Sequence, residues 1–230
     1  MKKLGIIGGL GPESTIIYYK KIISAFSDSF STSGNPEIII DSVDLNNFLQ
    51  LAENGNWDII INQLSESAER LYNAGANFGV LASNTPHKVF SEIQNKTKLP
   101  LIDLIEETAI QSKSLDIKAV GLLGTGFTMK SDFYKKAFET KGIKLFTPNI
   151  ENIEYIHNKI FTELEFGVVK DENKSRFIQI INNLINEHNI EGIIMGCTEL
   201  PLIIQPNDID IHYIDTTDVH VNTILKRLKT

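Results

Sequence analysis

Short apolar runs bounded by Gly, Asn, Pro or Asp recur along the chain, at residues 4–7, 37–41, 78–81, 101–102, 119–123, 144–146, 192–195 and 212–214. Each is short and often β-branched, a pattern that predicts strands. Between them run longer segments with apolar residues three and four apart. These predict helices over 14–27, 57–74, 87–97, 105–112, 131–141, 151–166, 173–188 and 219–228. Strands alternating with helices predict an α/β fold with largely parallel sheets. In such sheets, sites form beyond the carboxyl ends of the strands. Residues 165–174 carry Gly167 and several charges before a helix and read as an exposed loop. Trp57 opens a helix and reads as packing.

A second pattern is longer in period. Ile6-Ile7-Gly8, then Thr15, then Tyr19-Lys20-Lys21 is echoed by Leu122-Leu123-Gly124, then Thr128, then Tyr134-Lys135-Lys136. Further on, Gly79-Val80-Leu81-Ala82-Ser83-Asn84-Thr85 is echoed by Gly192-Ile193-Ile194-Met195-Gly196-Cys197-Thr198. Ser83 lies 75 positions after Gly8, and Cys197 lies 73 after Gly124. Ile102-Asp103 then matches Ile214-Asp215. An ordered set of matches at nearly the same spacing predicts two similar α/β lobes related by a pseudo-twofold.

Composition narrows the function. With 230 residues, 42% of them hydrophobic, the chain can bury a real core. A net charge of -7 argues against a general nucleic-acid surface, which needs a basic face. The N-terminal apolar stretch is short and broken by glycines, too short for a secretory signal. No run approaches the ~20 apolar residues of a membrane span. The expectation is a cytoplasmic protein with neither membrane nor nucleic-acid partner. A single cysteine excludes an internal disulfide and any multi-cysteine metal site.

The candidate chemistry gathers at the repeated motifs. Cys197 ends an apolar run between Gly196 and Thr198, where neighbouring backbone N–H groups are expected to lower its pKa toward neutrality. Ser83-Asn84-Thr85 is a polar cluster at the equivalent point of the first half. The turn Gly8-Gly9-Leu10-Gly11-Pro12-Glu13-Ser14-Thr15 lets backbone approach a ligand, with a helix start beyond it that attracts anions. A dinucleotide fingerprint is not completed, because Ser14 stands where its third glycine belongs. The turn suits a small carboxylate, with Leu10 and Ser14 as candidate contacts. His87 opens a predicted helix beside Ser83, and His220 follows Asp218; for a lone histidine, capping or packing is the commoner role.

The segments GGLGPEST, ASNTPHKV, LLGTGFTMKSDFY, GCTELPL and IDTTDVH, in this order, resemble the aspartate/glutamate racemase family over essentially the whole chain. The resemblance implies two pseudo-symmetric lobes with the active site in the cleft between them. The last helix is then expected to return to the first lobe, giving lobes of 1–103 plus 215–230 and 104–214. It implies a racemase that needs no pyridoxal phosphate or metal, acting on a small-molecule amino acid, and commonly a homodimer. Cys197 matches the second catalytic cysteine, and Ser83 stands in place of the first. Asn84, Thr85 and Thr198 match positions that hold the amino acid's carboxylate and ammonium. Thr125 and Thr128 match a threonine segment of the second lobe.

Serine at position 83 departs from the family's usual cysteine. A hydroxyl can donate a proton to a carbanion but is a poor base unless activated. The resulting expectation is a two-base racemase of aspartate or glutamate with unequal bases. The competing readings are a cysteine-dependent isomerase or decarboxylase of a small dicarboxylic acid, a ligand-binding relative without activity, and a variant in which serine was engineered for cysteine. Residues 44–50 carry no Lys or Arg for a side-chain carboxylate, and Glu165 is acidic where a base would be welcome.

Overall fold

The computed structural model describes residues 1–29 and 34–229. The chain divides into two compact units, Met1–Leu104 with His220–Thr230, and Ile105–Val219. Each contains one four-stranded, wholly parallel sheet.

The first unit is built from β1 (Leu4–Gly8), α1 (Pro12–Ser29), β2 (Ile38–Ser42), α2 (Leu45–Glu53), α3 (Trp57–Asn73), β3 (Phe78–Leu81), α4 (Phe90–Lys96) and β4 (Leu101–Ile102). Its sheet order is β2-β1-β3-β4. Because alternate residues of a strand face opposite ways, adjacent isoleucines of β1 serve two cores. Ile6 packs with Tyr18, Ile22 and Phe26 of α1, while Ile7 packs with Phe48, Ile60 and Leu64 of α2 and α3. Both isoleucines are fully buried, each worth about 1.5–3 kcal/mol of transfer free energy. Apolar residues on both faces explain why the strands read as continuous runs.

The second unit follows with α5 (Leu104–Ser114), β5 (Ala119–Gly124), α6 (Gly126–Lys130), α7 (Phe133–Thr140), β6 (Lys144–Phe146), α8 (Ile150–Thr162), α9 (Asp171–His188), β7 (Gly192–Gly196), α10 (Leu200–Ile203) and β8 (His212–Asp215). The order β6-β5-β7-β8 repeats that of the first sheet. The internal repeat is therefore a repeat of topology. On α9, Phe177, Ile180, Ile181 and Leu184 form the buried stripe that packs with Ile153, Ile156 and Ile160 of α8. The last helix, α11 (Thr216–Lys229), sends Val221, Ile224, Leu225 and Leu228 into the core that holds Ile6.

All eight strands fall where the apolar runs predicted them, with ends moved by a residue at most. Several helices differ. The predicted helix at 87–97 begins as a 3₁₀ turn, Thr85–Val89, before α4. Pro86 in that turn has no N–H to give. The predicted helix at 151–166 breaks at Glu163 into a 3₁₀ turn, Leu164–Phe166, closed by Gly167 at φ +70°. Of the loop expected over 165–174, residues 165–172 are exposed, but helix α9 already begins at Asp171 and Asn173 on it is buried. Helices α2, α6 and α10 lie in segments without a predicted element. Helix α2 is nine residues with Phe48 as its buried side chain, and α6 and α10 are five and four residues, too short for a period to register. Among the described residues no helix is long and apolar enough to cross a membrane.

Candidate active site

In each sheet the chain runs outward from the inner strand pair in opposite directions, so loops part at the carboxyl ends of β1 and β3, and again at β5 and β7. Such switch points are where ligands bind in parallel α/β sheets. The predicted site residues divide between these two places.

In the first unit, the loop after β1 is held open by Gly9, at φ +81°. A Cβ there would lie 2.2 Å from the Val43 carbonyl oxygen. The Gly9 N–H donates to Thr15 Oγ1 (2.9 Å), so that donor is engaged within the turn. Leu10 is buried, and its side chain packs in the core that holds Phe48 and Ile61. Ser14 Oγ donates to the Ala82 carbonyl (2.7 Å), tying the start of α1 to the segment beyond β3. Ser83 lies two residues past β3 and is half-buried. The next residues, Asn84 and Thr85, enter the 3₁₀ turn, Asn84 buried and Thr85 half-buried. Ser14, Ser83, Asn84 and Thr85 are thus brought together at one sheet edge.

In the second unit, Thr125 caps α6. Its Oγ1 accepts from the Thr128 N–H (3.3 Å) and lies 3.1 Å from Thr128 Oγ1. His157 of α8 supports the same turn, its Nδ1 accepting from the Gly126 N–H (3.2 Å). Thr128 is fully buried beside Gly124 and Gly196, which pair across β5 and β7. Position 196 admits no side chain, because a Cβ would stand 2.9 Å from the Leu123 carbonyl oxygen. Cys197 and Thr198 follow at once. Thr125, Thr128, Cys197 and Thr198 therefore share the second sheet edge.

The electrostatics of Cys197 differ from the sequence expectation. Its thiol donates to Glu199 Oε2 (2.7 Å), and Thr198 Oγ1 donates to Glu199 Oε1 (2.8 Å). Burial pushes the thiol pKa well above its ordinary value, and the Glu199 charge and hydrogen bond add to the rise. A thiolate beside a buried carboxylate is disfavoured twice, by lost solvation and by like charge. The resting sulfur thus keeps its proton and has an acceptor already in place. Glu165 sits in the 3₁₀ turn that packs by Leu164 against Leu200 and Ile203 of α10. Burial and the Glu199 charge raise the Glu165 pKa, and Glu165 in turn raises that of Cys197.

Glu199 and His157 carry no sequence signal of their own. Glu199 stood in GCTELPL as a neighbour of cysteine, and only the folded turn aims its carboxylate at sulfur. His87 is buried and engages the Ser83 carbonyl through Nδ1 (2.9 Å). Trp57 is half-buried, packs against the core below α2, and receives Lys88 Nζ over its ring at 4.3 Å. Among the described residues, no group of three His, Cys, Asp or Glu is arranged to hold a metal ion.

The family model described as Asp/Glu/hydantoin racemase matches residues 7–224. The chain is 24% identical to a broad-specificity amino-acid racemase of Bacillus subtilis, over 93% of this chain and 92% of that protein. It is 38% identical to an aspartate racemase homologue from Pyrococcus horikoshii, with TM-score 0.88 and all of both chains covered. A candidate Asp/Glu racemase from Yersinia pestis superposes with TM-score 0.94 at 34% identity, again over both whole chains.

Proposed function

The chain belongs to the Asp/Glu/hydantoin racemase family, and on that premise we propose that it racemises an amino acid of the aspartate/glutamate type through Cys197 and Ser83, without a cofactor. The observation that carries the reading is the hydrogen bond from the Cys197 thiol to Glu199 at the carboxyl end of β7. It couples the only sulfur nucleophile of the chain to a base within reach, the arrangement a weakly acidic Cα–H requires.

The Cys197 proton passes to Glu199, leaving a thiolate. The substrate's α-ammonium compensates the negative charge that burial and two carboxylates otherwise penalise. The thiolate takes the α-proton. The Cα–H electron pair spreads into the α-carboxylate, where the hydroxyls of Thr85, Thr125 and Thr198 and the amide of Asn84 are the proposed stabilising donors. Ser83 gives its hydroxyl proton to the other face of Cα. Solvent then restores the proton to the Ser83 oxygen and takes up the one left on sulfur and Glu199. Because free enantiomers are equally stable, kcat/KM is equal in the two directions. Unequal bases shift kcat and KM only together.

Substrate range is the finer point. Glu165 and Glu199 lie near the thiol, and the B. subtilis relative is named for broad specificity. Both support a range that extends from aspartate and glutamate to amino acids with uncharged side chains.

Incubation with L-aspartate, L-glutamate and neutral amino acids in D₂O tests the proposal. Deuterium at Cα together with inversion supports it. Exchange without inversion removes Ser83 from the mechanism, and exchange surviving in Cys197→Ala removes Cys197. Absence of exchange with every amino acid overturns the racemase reading. Ser83→Cys is expected to raise the rate, since a thiol is the better acid and base.

A further inference from the structure

The machinery proposed above leaves two buried imidazoles unused. His87 and His220 lie in the first unit, 5% and 0% exposed, with ring centroids 6.2 Å apart. Their partners decide their tautomers. His87 Nδ1 faces the Ser83 carbonyl (2.9 Å), which can only accept, so Nδ1 carries the proton. Nε2 is then free to accept the Leu104 N–H (3.2 Å). His220 has the opposite arrangement. Its Nε2 donates to the Ile102 carbonyl (3.2 Å), and its Nδ1 accepts from the Tyr18 hydroxyl (2.8 Å). Phe90 stacks on the His87 ring at 5.4 Å and 4° between planes, which fixes its orientation.

These bonds, with that of Ser14, act on two short stretches of backbone, Ala82–Ser83 and Ile102–Leu104. The Ala82 carbonyl is held by Ser14 and the Ser83 carbonyl by His87, so the peptides on both sides of the Ser83 side chain are pinned. The far ends of the network are also particular. Leu104 is the last residue before the chain leaves the first unit, and His220 is the first on its return. In the second unit the position four residues beyond Cys197 is Pro201, which has no side-chain donor, and the Cys197 carbonyl accepts from the Leu200 N–H (3.3 Å) instead. That asymmetry matches the asymmetry of the two bases. Cys197 has a carboxylate on its sulfur, whereas Ser83 depends on where its backbone puts the hydroxyl.

We infer that His87 is a positioning residue for Ser83, a neutral clamp that fixes the hydroxyl's direction by holding the Ser83 carbonyl and anchoring it at Leu104, with His220 setting the anchor through Ile102. The inference rests on the proposed racemase reading. A hydroxyl that must deliver a proton to one face of Cα tolerates little displacement, since a misplacement of about 1 Å costs on the order of 100-fold in rate. Burial keeps His87 neutral, as the clamp demands, because a protonated ring would confront the Leu104 N–H with a second donor.

Two near-isosteric substitutions separate positioning from bulk structure. The amide of His87→Asn stands near Nδ1 and can still donate to the Ser83 carbonyl. The amide of His87→Gln stands near Nε2, keeps the Leu104 contact and lets the Ser83 carbonyl go. The measurement is the ratio of α-deuteration to inversion in D₂O. When Ser83 is misplaced, the carbanion is reprotonated by Cys197 on the face it came from, giving exchange with retention. We expect H87Q to raise that ratio by about 10- to 100-fold and H87N, which keeps the Ser83 bond but loses the Leu104 anchor, to raise it by less. An equal ratio in wild type and H87Q overturns the role of His87 while leaving the racemase intact. A wild type that exchanges no amino acid overturns the racemase reading and the clamp with it. The clamp also has a readout independent of turnover and of any variant. Imidazole ¹⁵N shifts of the wild-type protein at neutral pH should show His87 protonated on Nδ1 and His220 on Nε2; the reverse assignment, or a charged His87, overturns it.

Discussion

Acidification is predicted to destabilise the first unit through His220, by an amount set by where that ring sits. The ring is fully buried between the Ile102 carbonyl and the Tyr18 hydroxyl. Burial, reinforced by the neighbouring His87, lowers its pKa from 6.5 to about 3. In the unfolded chain it titrates near 6.5. Between those values the unfolded chain takes up a proton that the folded chain refuses. The stabilisation is therefore fully present above about pH 6.5 and is lost as pH falls toward about 3, at about 1.4 kcal/mol per pH unit. Over the whole window the loss is about 5 kcal/mol, comparable with the entire stability of a marginal domain. The comparison variant is Tyr18→Phe with His220→Gln, in which the glutamine amide still donates to Ile102 and no tyrosine hydroxyl is left without an acceptor. Urea unfolding between about pH 7 and about pH 4 measures both proteins. Carboxylates contribute equally to each and cancel in the difference. The wild type should lose about 3 kcal/mol more than the double variant over that range. Parallel pH profiles would refute the assignment of a buried, neutral His220.

Glu199→Gln removes the charge that holds up the Cys197 pKa. Alkylation of the thiol at neutral pH should therefore quicken, while racemisation falls about 10²-fold or more as the proton acceptor is lost; unchanged alkylation would show that burial alone sets the thiol. Glu165→Gln should move alkylation in the same direction by less, as the Glu165 charge acts on the sulfur more weakly than burial and Glu199 do. Gly9→Ala should cost at least about 3 kcal/mol in urea unfolding, because it combines a left-handed backbone with a Cβ against the Val43 carbonyl; near-wild-type stability would mean the turn can be rebuilt. Arg70→Met, by contrast, should cost about 1 kcal/mol or less, since the Arg70 side chain is 55% exposed and Asp41 keeps its bond to Ser67.

Legibility varied with the range of the forces involved. The strands were readable because burial on both faces leaves an apolar run with nothing polar inside it, as in Phe78–Leu81 and Gly192–Gly196. Residues 87–89 read as the start of a helix but fold into the 3₁₀ turn Thr85–Val89, because their composition permits either and burial of Pro86, His87 and Val89 decides it. The expected lowering of the Cys197 pKa failed for a similar reason. Adjacent backbone donors favour the thiolate, but burial of the sulfur, and after it the carboxylate two residues on, turned inward by the bend, outweigh them. Histidines 87 and 220 read as ordinary packing residues. Nothing local indicated that Tyr18 and His220, 202 positions apart, would meet.

The sequence by itself determined the strand and helix alternation, the duplicated α/β lobe, and the polar clusters that end the third strand of each. Those features follow from hydrophobic periodicity and from glycines that only tight turns require, properties of a few neighbouring residues. Tertiary structure alone decided the charge state of Cys197, the tautomers of the buried histidines, and which backbone atoms hold Ser83 in place. Protonation and hydrogen bonding inside a core depend on desolvation and on partners supplied by distant segments, and these exist only once the chain has folded.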